Sequence, residues 1–253
     1  MTNIFLFAHQ DDEFGVFAEI ARLLALKQNV IIVYLTSGNP YGTINGLRNR
    51  ESVRVLSKLG VSTANIHFIG EKYGIPDGKL VGFMDLAYQK LNELLGNYPQ
   101  ISSFYYLAWE GGHQDHDAVH ILGTVLGNKY NILNNCIQFS LYHGKSLPYI
   151  FFKVLSPILE NGPVNFYKMT FNERLKYISY CFYYKSQRKT WMGLFPFLLY
   201  HYSISGTQEL QNVSLERIQK RPHPGKLLYE KRGFYTYEKF VENRDKFLAD
   251  KLV

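Results

Sequence analysis

The stretch Ile4-Phe5-Leu6-Phe7-Ala8-His9-Gln10-Asp11-Asp12-Glu13 constrains the fold more than any other part of this 253-residue chain. Four consecutive apolar residues fit a short strand buried on both faces. An imidazole and three carboxylates follow at once, and Phe14 to Leu26 continues with helical apolar spacing. Strand, short loop and helix in that order place the polar residues at the carboxyl end of the strand, the edge where open parallel α/β sheets bind ligands. Four adjacent ionisable groups are costly there unless something compensates them, and a divalent cation does so. A second polar burst, Gly111-Gly112-His113-Gln114-Asp115-His116-Asp117, follows another apolar run, Phe104 to Trp109. The two bursts are expected to form one metal site.

The remaining pattern supports that convergence. Val30 to Leu35, Ile66 to Ile69, Ser103 to Ala108 and Cys136 to Leu141 read as further strands. Arg48 to Leu59, Phe83 to Leu95 and Asp117 to Leu126 read as helices between them, with Gly60 as a stop and Asp77-Gly78 as a turn. Strands alternating with helices predict an α/β fold with a Rossmann-like, mostly parallel sheet flanked by helices. In the strand order 3-2-1-4, strands one and four are neighbours, so both bursts meet at the switch point by topology alone. Residues 1–140 are expected to form this metal-site core. Residues 141–253 are expected to complete the same domain as an aromatic-rich, basic extension packed on the sheet, shaping the substrate entrance. In that half Tyr149 to Tyr202 is broken by Pro157, Pro163 and Pro196, and Asn172 to Ser186 is its clearer helix. Arg221-Pro222-His223-Pro224-Gly225 is a stiff loop, and Tyr237 to Lys251 a polar terminal helix.

Charge divides with the halves. Residues 1–140 carry 10 Lys and Arg against 12 Asp and Glu, whereas residues 141–253 carry 18 against 9. A basic half can face an anionic substrate or a membrane surface, or be simply a solvated surface. Nucleic acid is the weakest option, because no helix-turn-helix, zinc finger or RNP-like pattern occurs. No uninterrupted apolar stretch of about 18 residues is present, so no membrane span is expected. The apolar run at the N-terminus is too short for a signal peptide and lacks a basic flank. Two cysteines, Cys136 and Cys181, are far apart and give no disulfide framework. A cytoplasmic location, possible also at the membrane surface, is the expectation.

His9 and Asp12 are close enough on a loop or first helical turn to converge, and His116 adds a second imidazole. Two neutral imidazoles and one carboxylate leave open coordination positions, as a hydrolytic Zn2+ site requires. Fe2+ and Co2+ suit the same donors. Asp11, beside the ligands, is placed to act as general base. The plain alternative is a helix N-cap at Asp11 or Asp12 beside a surface histidine. His113 is free to stabilise an oxyanion or protonate a leaving amine, and Asp115 to accept a hydrogen bond from a histidine. Gly111 and Gly112 would let a substrate approach the backbone. His120 is a competing ligand one turn beyond His116, and His67, His143 and His201 are isolated.

Ala8-His9-Gln10-Asp11-Asp12-Glu13 together with His113-Gln114-Asp115-His116 resembles the LmbE/PIG-L family of zinc-dependent de-N-acetylases. Arg48-x-x-Glu51 leading to Leu59-Gly60, the Pro76-Asp77-Gly78 turn and Ser186-Gln187 agree with it. The resemblance is good from residue 3 to about residue 130 and sparse beyond. It implies a Rossmann-like fold, His9, Asp12 and His116 as zinc ligands, Asp11 as general base, and His113 as the transition-state histidine oriented by Asp115. It also implies a substrate of the N-acetylglucosamine type within a larger glycoconjugate, small or lipid-linked. Three positions depart from the family pattern. Gln10 and Gln114 stand where proline is usual, and Gly111 stands where some members carry an oxyanion-assisting tyrosine. His113, Glu110 or a residue of the second half would then take that role. Arg48, Glu110, Arg221 and His223 are the substrate-binding candidates, and Lys185, Arg188 and Lys189 near Trp191 could meet a lipid or polyphosphate headgroup.

The leading expectation is a zinc-dependent hydrolase in which water activated by the metal and Asp11 attacks the amide of an N-acetylated amino sugar. The rivals are a hydrolase of another amide on a sugar conjugate, and a noncatalytic nucleotide- or anionic-membrane-binding module. The first loop lacks a Gly-x-Gly-x-x-Gly cradle and places negative charge where a phosphate would sit, which argues against nucleotide.

Overall fold

The computed structural model of the chain describes residues 1–39 and 46–251. Strand β1 (Thr2–Phe7) is buried from Asn3 onward, as its unbroken apolar run requires. A 3-10 turn over Asp12–Val16 leads into α1 (Phe17–Ala25), so the helical pattern from Phe14 begins tighter than an α-helix. There follow β2 (Asn29–Tyr34), α2 (Gly46–Leu59), β3 (Ile66–Phe68), α3 (Ile69–Lys72), α4 (Met84–Leu95), β4 (Ile101–Leu107) and α5 (Gln114–Lys129). The second half supplies β5 (Cys136–Phe139), a small ribbon of β6 (Tyr142–His143) and β7 (Lys153–Val154), β8 (Val164–Lys168), α6 (Phe171–Cys181) and α7 (Arg188–Ile204). It ends with β9 (Thr207–Asn212), α8 (Leu228–Lys231) and α9 (Tyr237–Ala249).

Seven strands form one sheet in the order β3-β2-β1-β4-β5-β9-β8. The first five are parallel, β9 joins antiparallel to β5, and β8 pairs antiparallel with β9 at the edge. The expected order 3-2-1-4 is therefore present, with Leu6 of β1 level with Val33 of β2 and Tyr106 of β4. Phe5 stacks on Tyr105 of β4 with ring centroids 4.4 Å apart, a pairing that adds about 0.5–1.5 kcal/mol beyond burial itself. This seam sets the carboxyl ends of β1 and β4 side by side.

Three helices differ from expectation: α6 ends at Cys181 and not at Ser186, and the other two differ for physical reasons. Helix α5 starts at Gln114, three residues early, because the His113 ring accepts a hydrogen bond from the Asp115 amide and caps it. Helix α7 runs through Pro196, which the sequence reads as a break. The proline is exposed, and the carbonyl it strands four residues earlier belongs to exposed Met192, where water can satisfy it. No helix among the described residues is long and apolar enough to cross a membrane.

Candidate metal centre

The β1–α1 loop turns sharply because Asp12 folds back on it. One Asp12 oxygen accepts from the Ala8 and His9 amides at 3.0 and 2.8 Å, and Glu13 accepts from the Asp11 amide at 3.0 Å. Asp11 itself sits at φ 115°, a left-handed conformation that a residue with a Cβ adopts only at a cost of about 1–3 kcal/mol. Glu13 is wholly buried and held by Tyr184 at 2.9 Å, so it serves the scaffold.

His116, on the first turn of α5, presents Nε2 3.3 Å from His9 Nδ1 and 3.3 Å from the second Asp12 oxygen. The bonds of about 2.0–2.1 Å around a tetrahedral zinc ion would set its ligands about 3.3–3.4 Å apart. The other ring nitrogen of His9, Nε2, lies 3.1 Å from Asp77 and 3.2 Å from Asp115. Two carboxylates there fix a proton on Nε2 and leave Nδ1 facing His116 and Asp12. Two imidazoles and a carboxylate thus converge, and a metal ion would take the place of the proton that His9 Nδ1 otherwise holds toward Asp12. Two sets bring their donor atoms within 4.8 Å of one another: His9, His113 and His116, and separately His9, Asp77 and Asp115. The second set is spoken for: Asp115 accepts from the Gly78 and Leu80 amides at 2.6 and 3.0 Å.

The electrostatics follow from burial and these neighbours. Burial would lower the His9 pKa, yet Asp77, Asp12 and Asp115 outweigh it and raise it well above its ordinary value. Asp12 opposes its own burial through His116 and His9 and is held well below the usual carboxylate range. Burial pushes Asp11 up to about 8, against the guanidinium of Arg48 3.4 Å away. Burial and the neighbouring His9 push His113 down to about 3, so it is a neutral imidazole. Its Nδ1 accepts from the Asp115 amide at 3.2 Å, which leaves the proton on Nε2.

Above the centre opens a cavity of about 510 Å3 lined by His9, Asp11, Asp12, Arg48, Asp77 and His113, and by Tyr142, Phe152, Lys189, Arg232 and Phe234 among others. His116 and Asp115 lie buried beneath it. Arg48 does not pair with Glu51. It binds Asp77 at 2.9 Å and the Gly38 and Gln10 carbonyls at 2.8 and 2.9 Å, while Glu51 receives the Ser186 amide at 3.0 Å. The glutamines at the expected proline positions tie their loops down through side chains. Gln10 donates to Asn49 at 2.8 Å and to the Thr36 carbonyl, and Gln114 to the Gly78 carbonyl at 3.2 Å.

Several expected placements are corrected. The Asp115 carboxylate orients His9, whereas only its backbone amide touches His113. Glu110 faces away from the cavity because its carboxylate takes the Leu141 and Tyr142 amides at 2.8 and 2.9 Å and the Ser140 hydroxyl. Arg221 is paired with Glu230 and stacked over Tyr237 at 4.3 Å, and His223 abuts the Pro224 carbonyl and His143. None of these three lines the cavity. Gly111 and Gly112 admit other parts of the chain and not a ligand: a Cβ on Gly111 would meet Leu227 at 2.6 Å, and one on Gly112 the Tyr142 carbonyl at 2.0 Å. His120 donates to or accepts from nothing at the centre; its Nδ1 bonds the Leu107 carbonyl at 2.9 Å. Asp77, Tyr142 and Arg232 were missed as site residues. Asp77 carried a signal as the Pro-Asp-Gly turn, but Tyr142 and Arg232 carried none.

Fold and site define an α/β protein with a histidine–carboxylate centre at the carboxyl edge of a parallel sheet. Residues 4–126 match the PIG-L family, described as GlcNAc-PI de-N-acetylase. No curated protein matches the sequence significantly. Among solved structures, the zinc-inhibited form of teicoplanin deacetylase Orf2 is 15% identical with a TM-score of 0.61, covering 85% of this chain and 100% of its own. The A40926 pseudoaglycone deacetylase Dbv21 is 14% identical with a TM-score of 0.61, covering 88% and 99%. N,N'-diacetylchitobiose deacetylase from Pyrococcus horikoshii is 17% identical with a TM-score of 0.56, covering 84% and 82%. The likeness to these deacetylases is one of fold.

Proposed function

We propose that this protein is a zinc-dependent hydrolase that removes acetyl from an N-acetylglucosamine-type amino sugar in a larger conjugate. The observation that carries the reading is that His116 Nε2 lies 3.3 Å from both His9 Nδ1 and Asp12 Oδ1, with His9 Nδ1 3.6 Å from the other Asp12 oxygen. The two nitrogens and Asp12 Oδ1 would hold the ion, which when bound polarises an amide carbonyl and makes water easier to deprotonate.

Asp11 accepts the proton of the attacking water. Its rise to about 8 makes it a strong enough base, and Arg48 holds its carboxylate at the cavity wall. His113, neutral with its proton on Nε2, donates a hydrogen bond to the oxyanion, a role that suits it better than that of an acid. Protonated Asp11 then delivers its proton to the departing amine. Tyr142 is the residue of the second half that takes the missing tyrosine's place, its ring 5.2 Å from that of His116 and its burial keeping the phenol protonated. Residues 141–253 thus complete the same domain and its entrance. Arg48, Lys189 and Arg232 around the cavity favour an anionic substrate.

The PIG-L family match and the fold shared with deacetylases of teicoplanin and diacetylchitobiose support a sugar conjugate as substrate. A cytoplasmic setting is part of the reading. The experiment is acetate release from N-acetylated sugar conjugates by the zinc-loaded protein, alongside metal content of wild type, His9→Ala and His116→Ala. About one ion per chain lost in both variants, with acetate released, supports the proposal. Release of a different acid from the same conjugates assigns another amide as substrate, and no hydrolysis with no metal uptake overturns the reading.

A further inference from the structure

Helix α7 breaks the rule that a surface helix has a polar outer face. A helix apolar all round belongs in a core or a membrane. Trp191, Leu194, Leu198 and Tyr202 of α7 face inward, as expected. Its outward ridge, at intervals of four residues, is Met192, Pro196, Tyr200 and Ile204. Met192 is 78% exposed, Tyr200 69% and Ile204 68%. Beside the ridge Phe197 packs on Phe152 at 4.9 Å, and Phe152 continues the exposed loop residues Tyr149, Ile150 and Phe151. Single exposed apolar residues are ordinary, but a contiguous patch marks an interaction surface.

The charge along this segment of the chain has one sign. No Asp or Glu occurs from Arg174 to Gln208, a stretch that carries five Lys or Arg. Lys185, Arg188 and Lys189 are exposed at the start of α7, and none forms an ion pair among the described residues. Arg188 and Lys185 also edge an apolar groove of about 320 Å3 floored by Tyr184, Trp191 and Phe195. Helix α7 is too short to span a bilayer, yet apolar residues rimmed by cations are what an interfacial helix presents to acyl chains and anionic headgroups. A soluble acidic partner would complement the cations but not the aromatic and aliphatic ridge.

We propose that the outer face of α7 and the loop at 149–151 dock this protein on an anionic lipid bilayer. Lys189, Gly193 and Leu194 of the same helix line the catalytic cavity with Phe152, so docking sets the cavity mouth at the headgroups. The surface stands apart from the chemistry of the centre and does not depend on it.

The test is flotation of the full chain with vesicles of phosphatidylcholine alone and of phosphatidylcholine mixed with phosphatidylglycerol. Binding is expected to the mixed vesicles only and to weaken as salt shortens the screening length. Met192→Glu with Tyr200→Glu should abolish it, with thermal unfolding confirming that the exposed substitutions leave the fold intact. The milder pair Lys185→Ala and Arg188→Ala should weaken partitioning about 30-fold. Absence of binding to either vesicle, or equal binding of wild type and the Glu variant, overturns the proposal. Concentration-dependent dimerisation abolished by the same Glu substitutions also overturns it, since the ridge would then face a second copy of the chain.

Discussion

His9 and Asp115 stand 106 positions apart in the sequence, and the ring Nε2 of the first lies 3.2 Å from a carboxylate oxygen of the second. Asp115 is in turn held by the Gly78 and Leu80 amides, so the orientation of a candidate ligand on the first loop is set by two other loops. Asp115→Asn keeps the shape but weakens the acceptor that fixes the His9 tautomer. Zinc affinity is expected to fall roughly 10–100-fold, read by competition with a chelating dye. Unchanged affinity would mean that Asp77 alone orients His9.

Asp11→Asn removes the proton acceptor and leaves His9, Asp12 and His116 in place. Acetate release should drop by about 10²–10⁴ while bound metal stays at the wild-type level. A variant that keeps full turnover would move the base elsewhere.

Tyr142→Phe deletes one phenol at the cavity wall. If that phenol supports the oxyanion, kcat falls by about 10² with KM little changed. A rise in KM alone would instead make Tyr142 a substrate contact.

Glu110 gives the stability a pH dependence of its own. Burial raises its pKa from 4.5 to about 7, despite hydrogen bonds from Ser140, Leu141 and Tyr142. Between those values the folded protein keeps a proton that the unfolded chain has released. Its contribution is therefore whole below the lower value, declines as pH rises, and is lost by the upper, a change of up to about 3 kcal/mol. Glu110→Gln should remove that slope. Urea unfolding at the two ends of the window, compared between wild type and variant, isolates it from other groups.

Gly112→Ala would put a Cβ 2.0 Å from the Tyr142 carbonyl oxygen, where backbone must give way. A loss of about 1–3 kcal/mol in stability is expected, with a larger loss of activity because the His113 loop moves with it. Wild-type turnover in this variant would show that the loop adapts.

The adjacency of β1 and β4 was legible because apolar runs that end in polar bursts carry their own topology. The meeting of the loop that carries His9, Asp11 and Asp12 with His116 followed from it. What escaped were relations set by tertiary packing. Asp115 was expected under His113, and only the approach of the turn at Asp77-Gly78 shows that it serves His9. Tyr142 comes from a two-residue strand with no periodicity to read, and its ring meets that of His116 only through tertiary packing. Glu110 read as a site residue because it borders the second burst, yet a buried carboxylate takes whatever amides lie nearest, here those of Leu141 and Tyr142. Pro196 read as a break because the sequence does not reveal which side of a helix meets water.

The seam between β1 and β4 also has a consequence for the order in which the protein is made. At about 5–20 residues per second, His9 and Asp12 leave the ribosome roughly 5–20 s before His116. Until β4 pairs with β1, the first motif is a short acidic loop with one imidazole and nothing to complete it. A nascent chain is thus poorly equipped to seize a metal ion early, and the competent centre arises together with the sheet.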